Sequence, residues 1–174
     1  IGYTNNMSWP CKFPISGNTY TIESKTGSKS PMYLSNNLTM STAQQTFTFT
    51  RVSNNKNSIT YFISGGDNQY LGAYAPLTIN KDDQLPVWIQ YIQVKQNNSD
   101  NSTTTSDDIH EYLSTLYNYQ WVVIAYISDP SYVVIQNYYS KLALTIDTNN
   151  NLITDTYNTK NPSRFSRFII NNAS

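Results

Sequence analysis

A unit of four short strands recurs along this chain, and that recurrence restricts its fold more than any other feature. It is clearest from Tyr132 to Ile170. Tyr132-Val133-Val134-Ile135-Gln136-Asn137 is a β-branched run closed by a polar turn. Lys141-Leu142-Ala143-Leu144-Thr145-Ile146-Asp147 places Leu142, Leu144 and Ile146 at period two, and Asn149-Asn150-Asn151 ends it. Leu152 to Tyr157 follows, then a turn from Asn158 to Ser163, then Phe165 to Ile170. Each run has the alternation and β-branched content of a strand, and each gap has turn residues. Four strands of this length bury only one face, so the unit needs partners.

Two further copies supply them. Tyr20-Thr21-Ile22, Met32-Tyr33-Leu34, Leu38-Thr39-Met40 and Phe47-Thr48-Phe49 form the first. Ile59 to Ser64, Gln69-Tyr70-Leu71 and Leu77-Thr78-Ile79 form the second. The copies start about forty residues apart, a spacing typical of repeat architectures. Ile63 stands as far from Tyr70 as Ile135 does from Leu142. The expectation is a single all-β domain over 1–174 with about twelve strands. It has an irregular arm over 1–18 and repeats over about 19–57, 58–128 and 129–174. Tyr20, Ile22, Leu34, Phe47, Ile63, Leu71, Trp121, Val134, Leu144 and Phe168 are expected to face the core.

The second repeat is broken by an insertion at about 85–118. Trp121 to Ile127 is read as its closing strand, because Trp121-to-Ile135 then parallels Phe47-to-Ile63. The other register closes the repeat with Val87 to Val94. Asn97 to Asp108 is a polar loop. Ser106-Asp107-Asp108 is placed to cap a short helix from Ile109 to Tyr117, with Ile109, Leu113 and Leu116 at helical spacing.

Composition excludes several functions. The 11 basic and 11 acidic residues cancel, and only 13% of the chain is charged. A nucleic-acid binder needs a cationic surplus. No apolar run is long enough to span a bilayer as a helix. Cys11 is the single cysteine, so no intrachain disulfide forms, although pairing between chains stays open. His110 is the single histidine and lies in the polar segment, poorly placed for a rigid catalytic device. Asp82-Asp83 and Asp107-Asp108 are adjacent pairs, and neighbours on a strand point to opposite faces. Neither pair flanks a bond as glycosidase carboxylates do. No catalytic constellation, metal site or cofactor motif emerges. The chain opens on Ile1 without Met, which reads as a processed or otherwise trimmed chain and leans toward secretion without fixing the compartment. Asn6, Asn37, Asn97, Asn101 and Asn172 each begin an Asn-x-Ser/Thr sequon. The 15 tyrosines and many Asn, Asp and Gln residues suit sugars. Rings pack on pyranose C–H groups, and amides and carboxylates bond to hydroxyls.

Gly17-Asn18-Thr19-Tyr20-Thr21-Ile22, and Tyr132 to Asn137 with Ser140-Lys141-Leu142-Ala143, resemble ricin-B-like β-trefoil lectins, especially small fungal ones. The resemblance covers about 19–80 and 120–170. It implies a β-trefoil of three pseudo-repeats that binds glycans or glycoproteins without catalysis, as a monomer or an oligomer. The Gln-x-Trp that ends each repeat of that family stands here as Gln45-Thr46-Phe47, Gln120-Trp121 and Ser163-Arg164-Phe165. The family's pocket lies between the turn after the second strand and the connection from third to fourth. That implies Asp147, Asn149, Asp155, Tyr157, Asn158 and Asn161 in the third repeat, with Tyr157 stacking on the sugar. A poorer set, Tyr74, Asp82 and Asp83, lies in the second. The same fold also carries protease inhibitors, for which the 95–118 loop would be the blocking element, and receptor-binding subunits of toxins.

Overall fold

The computed structural model of the chain describes residues 13–25, 31–66, 69–74, 85–90 and 117–172. These hold twelve strands. The first repeat supplies β1 (Thr19–Ser24), β2 (Tyr33–Leu34), β3 (Met40–Ser41) and β4 (Phe47–Arg51). The second supplies β5 (Tyr61–Gly66), β6 (Gln69–Tyr74), β7 (Leu85–Gln90) and β8 (Trp121–Ala125). The third supplies β9 (Val133–Asn137), β10 (Ala143–Ile146), β11 (Leu152–Asp155) and β12 (Phe168–Asn172).

Following the antiparallel pairings closes a ring. β1 pairs with β4, β4 with β5, β5 with β8, β8 with β9, β9 with β12, and β12 returns to β1. The first and last strands of each repeat thus form a six-stranded barrel. The middle strands of each repeat pair as the hairpins β2–β3, β6–β7 and β10–β11. A closed barrel with three such hairpins is a β-trefoil. Closure removes the unpaired edges that an open sheet presents.

The core repeats with the strands. Ile22, Ile63 and Ile135 come from the opening strands, and Leu34, Leu71 and Leu144 from the second strands. Phe47, Trp121 and Phe168 are the first residues of the three closing strands, and all join the same buried cluster. The Trp121 indole N–H donates to the Leu71 carbonyl at 2.9 Å, which satisfies its one polar atom inside the core. Gln45 accepts from the Asn36 amide at 2.6 Å, tying the β2–β3 turn to the approach of β4. Gln120 accepts from Thr60 and Asn55, each at 2.9 Å, and so ties β8 to the β4–β5 connection.

Three expectations need correction. Leu85–Gln90, placed in the insertion, is the third strand of its repeat and pairs along its whole length with β6. Val134 is buried outside the barrel with Tyr132 and Ala143, while Val133 and Ile135 point inward, as the period-two pleat requires. Phe165 does not fill the closing-strand slot. Ser166-Arg167-Phe168 occupies it, with Ser166 and Phe168 buried. The residues between β7 and Tyr117, with Asn97 to Asp108 and His110, lie outside the described residues. So do Trp9 and Cys11. Tyr117, the last residue of the expected helix, opens a 3-10 turn, Tyr117–Tyr119.

Trp121 and Ile127 should separate core from surface. Trp121 is fully buried, whereas Ile127 is 76% exposed in the β8–β9 turn. Trp121→Ala should lower unfolding free energy by about 3–5 kcal/mol in urea titrations. Ile127→Ala should stay within about 0.5 kcal/mol of the parent. Equal effects would contradict this packing.

Candidate functional site

The third repeat opens a groove of about 1060 Å³ on its surface. One wall is the turn after β10. Its sequence, Asp147-Thr148-Asn149-Asn150-Asn151, builds the turn directly. The Asp147 carboxylate accepts the backbone N–H groups of Asn149 at 2.9 Å and Asn151 at 2.8 Å. The Asn150 amide donates to the Asp147 carbonyl at 3.1 Å. Asn150 adopts a left-handed φ of 67°, which Asn tolerates better than most residues. The Asn150 side chain then donates to the Met40 carbonyl at 2.9 Å, and the Met40 amide donates back to the Asn150 carbonyl at 3.1 Å. The hairpin is thereby fastened to the first repeat.

The opposite wall is the connection from β11 to β12. Ser163 caps a single 3-10 turn, Arg164–Ser166, by accepting the Phe165 N–H at 3.2 Å. The turn leaves Phe165 40% exposed, and the residue lines the groove. The Arg164 guanidinium sits 4.9 Å from that ring's centre. Between the walls, Asp155 accepts the Thr156 N–H at 2.7 Å. The Thr145 and Ser166 hydroxyls share a hydrogen bond of 3.0 Å. The groove therefore offers two carboxylates, hydroxyls and a partly exposed aromatic ring with a guanidinium over one face. Among the described residues no group of three His, Cys, Asp or Glu side chains is placed to hold a metal ion.

Of the residues singled out in sequence, Asp147 and Asp155 line this groove. Asn149 contributes its backbone N–H to the turn but is not among the lining residues. Tyr157 belongs elsewhere. Its ring packs on Tyr132, Val134 and Ala143, outside the barrel, together with Ile124 and Tyr126. Its hydroxyl accepts from the Gln136 amide at 3.1 Å. Asn158 accepts the N–H groups of Lys160 at 3.0 Å and Asn161 at 3.1 Å, shaping the loop. Asn161 accepts from the Arg167 guanidinium at 3.2 Å, which lies 4.7 Å above the Tyr132 ring. Tyr157 and Asn161 thus hold the loop to the rest of the repeat, and Asn158 shapes it from within. For Tyr74 the structure describes only the backbone, at the end of β6, and Asp82 and Asp83 lie outside the described residues. Phe165 and Arg164 were not among the candidates, because the resemblance put Ser163-Arg164-Phe165 in the Gln-x-Trp slot that ends the repeat. The second aromatic at Phe168 was the available signal against that reading.

The outer aromatic cluster changes its tyrosines. The Tyr126 hydroxyl is pushed up from 10.0 to about 12, first by burial and then by the neighbouring Tyr157 and Tyr132. Burial also raises Tyr157, against the opposing hydrogen bond from Gln136.

No protein-family model matches the chain, and no curated protein matches it. Solved structures do resemble it. SeviL bound to asialo-GM1 saccharide aligns at 12% identity with a TM-score of 0.55, over 91% of this chain and 100% of that one. A salivary protein of Culex quinquefasciatus, from a cysteine- and tryptophan-rich family, aligns at 12% identity and 0.55, over 92% and 96%. The Macrolepiota procera ricin B-like lectin in complex with lactose aligns at 12% identity and 0.52, over 93% and 100%. At this identity the likeness is one of fold, and it agrees with the ring of pairings above: the chain is a β-trefoil.

The tyrosine cluster yields a pH prediction. A raised pKa in the folded state stabilises the fold below pH 10, and this contribution is lost as pH climbs through about 12. The urea midpoint should fall across that window, and less steeply for Tyr126→Phe. Tyr157→Ala should lower the midpoint at neutral pH, because it removes packing and a hydrogen bond. An unchanged midpoint would place the Tyr157 ring in solvent instead.

Proposed function

We propose that the chain is one trefoil domain that binds carbohydrate in the third-repeat groove without catalysis, with glycans or glycoproteins as partners. The observation that carries this reading is the groove's pairing of an exposed ring, Phe165, with the carboxylates of Asp147 and Asp155. A pyranose has one face of C–H groups and a rim of hydroxyls. The ring suits the face, because its electron-rich surface attracts polarised C–H groups. The carboxylates accept from the hydroxyls, and such charge-assisted bonds are stronger than neutral ones. Arg164 adds donors beside them.

Rigidity supports the same reading. Asp147 is held by two backbone amides, Asp155 by one, and Phe165 by a capped turn. A pre-formed site loses little freedom on binding, which helps a weakly held ligand such as a sugar. Two structural neighbours of the same fold are complexes with saccharides, asialo-GM1 saccharide and lactose. The carboxylates act as fixed acceptors in this account, and the bound glycan leaves unchanged.

A glycan array followed by titration tests the proposal. Phe165→Ala should weaken the best glycan by about ten- to a hundredfold, the equivalent of roughly 1–3 kcal/mol. Asp155→Ala should act in the same direction. Neither should move the melting temperature appreciably, since both side chains are exposed. Normal binding by both folded variants would overturn the groove as the site, and an array without binders would overturn the function.

A further inference from the structure

The groove does not end at the third repeat. It continues onto the first, where Ser24, Met32 and Met40 form its far side. We propose that this far side is a second subsite, and that it takes the acylated residue of an oligosaccharide whose terminal sugar sits against Phe165. The proposal rests on the carbohydrate reading above and deepens it.

Size is the first argument. Pockets of roughly 300–1,000 Å³ hold whole drug-sized ligands, and a single pyranose is much smaller than those. At about 1060 Å³ the groove has room for more than one sugar residue.

Chemistry is the second. The third-repeat side carries the carboxylates and the guanidinium, whereas the first-repeat side carries two thioethers and a hydroxyl. Met40 is almost fully buried, and Met32 is partly buried against the barrel core. Sugar hydroxyls pressed onto such a surface would lose water without gaining partners. The methyl of an acyl group fits it, because Met side chains adapt their shape to small apolar groups.

The third argument is Ser24. Its Oγ is buried and has no hydrogen-bond partner among the described residues. Buried hydroxyls are nearly always paired, so an orphan needs an explanation. Turning about χ1, this hydroxyl gives up no bond and can donate to an acyl carbonyl. One acyl group thus answers both features, its methyl meeting the methionines and its carbonyl meeting Ser24.

The two sides are also held at a fixed spacing. Asn150 and Met40 exchange the two hydrogen bonds described above, and the Ser24 amide donates to the Met32 carbonyl at 2.8 Å. A fixed spacing selects one linkage geometry and lowers the ordering cost for a disaccharide that matches it.

Matched disaccharides provide the test. An array would present several terminal sugars, each linked to glucose and to N-acetylglucosamine, with lactose and N-acetyllactosamine as one pair. For the terminal sugar that binds, the acetylated partner should bind about tenfold more tightly, the gain expected of one well-made hydrogen bond and a buried methyl. Ser24→Ala and Met32→Gln should erase that preference and leave the affinity for the terminal monosaccharide alone unchanged. Equal binding of both partners, or a preference that survives both substitutions, overturns the second subsite and leaves the carbohydrate reading standing. Binding to none of the pairs overturns the carbohydrate reading, and the second subsite falls with it.

Discussion

The fold depends on the pairing of its first strand with its last. β1 and β12 align from Tyr20 opposite Asn172 to Ser24 opposite Phe168, and this contact turns a row of hairpins into a barrel. Its entropic cost is that of closing nearly the whole chain, which grows only slowly with loop length. The return is large, because closure buries one face of all six barrel strands and pairs the two edges that would otherwise stand open. Phe168 is central to it. The residue begins the closing strand of the third repeat, fills the core beside Phe47 and Trp121, and pairs with both Ser24 and Val133.

The groove follows from the same closure. β12 brings the third repeat against β1, and the hairpins β2–β3 and β10–β11 then meet edge to edge. Thr39 bridges Asn151, the Leu152 amide donates to the Leu38 carbonyl at 2.9 Å, and Asn150 grips Met40. The space left between this joint and the 3-10 turn before β12 is the groove. Its polar wall comes from turn chemistry and its apolar wall from methionines on the margin of the core. Fold and site therefore share residues. Ser166 shows this, being buried at the foot of β12 while its hydroxyl meets Thr145 at the groove.

The barrel was legible because its signal is simple. Period-two runs such as Tyr20-Thr21-Ile22 and Val133-Val134-Ile135 recur, and each closing strand starts with an aromatic residue. The third strand of the second repeat was less legible, because Leu77-Thr78-Ile79 has the pattern expected of it and so left Leu85–Gln90 to the insertion. Pro86 is tolerated there because, among the described residues, β7 pairs with β6 alone and stands at the end of the row of strands. Phe165 and Phe168 stand three residues apart, and sequence alone offered both for the core slot. The Ser163 cap decides between them by winding Arg164–Ser166 into a tight turn that puts Phe165 outside. The candidate groove was only partly legible for a related reason. Asp147, Asn158 and Asn161 looked alike as polar candidates, yet short polar side chains bond to their local backbone first. Only the folded chain shows that Asp147 does this while lining the groove, and that Asn158 does it away from the groove. Tyr157 has the composition of a stacking ring, and the covering loop turns it into packing.

The central claim is that carbohydrate lies across Phe165 between Asp147 and Asp155. A crystal structure of the chain with its strongest array glycan bound measures this most directly. The account predicts a pyranose with its C–H face on the Phe165 ring and its hydroxyls within hydrogen-bond distance of both carboxylates. A sugar bound at the Tyr126, Tyr132 and Tyr157 cluster, or in the second repeat with the third-repeat groove left to solvent, would contradict it.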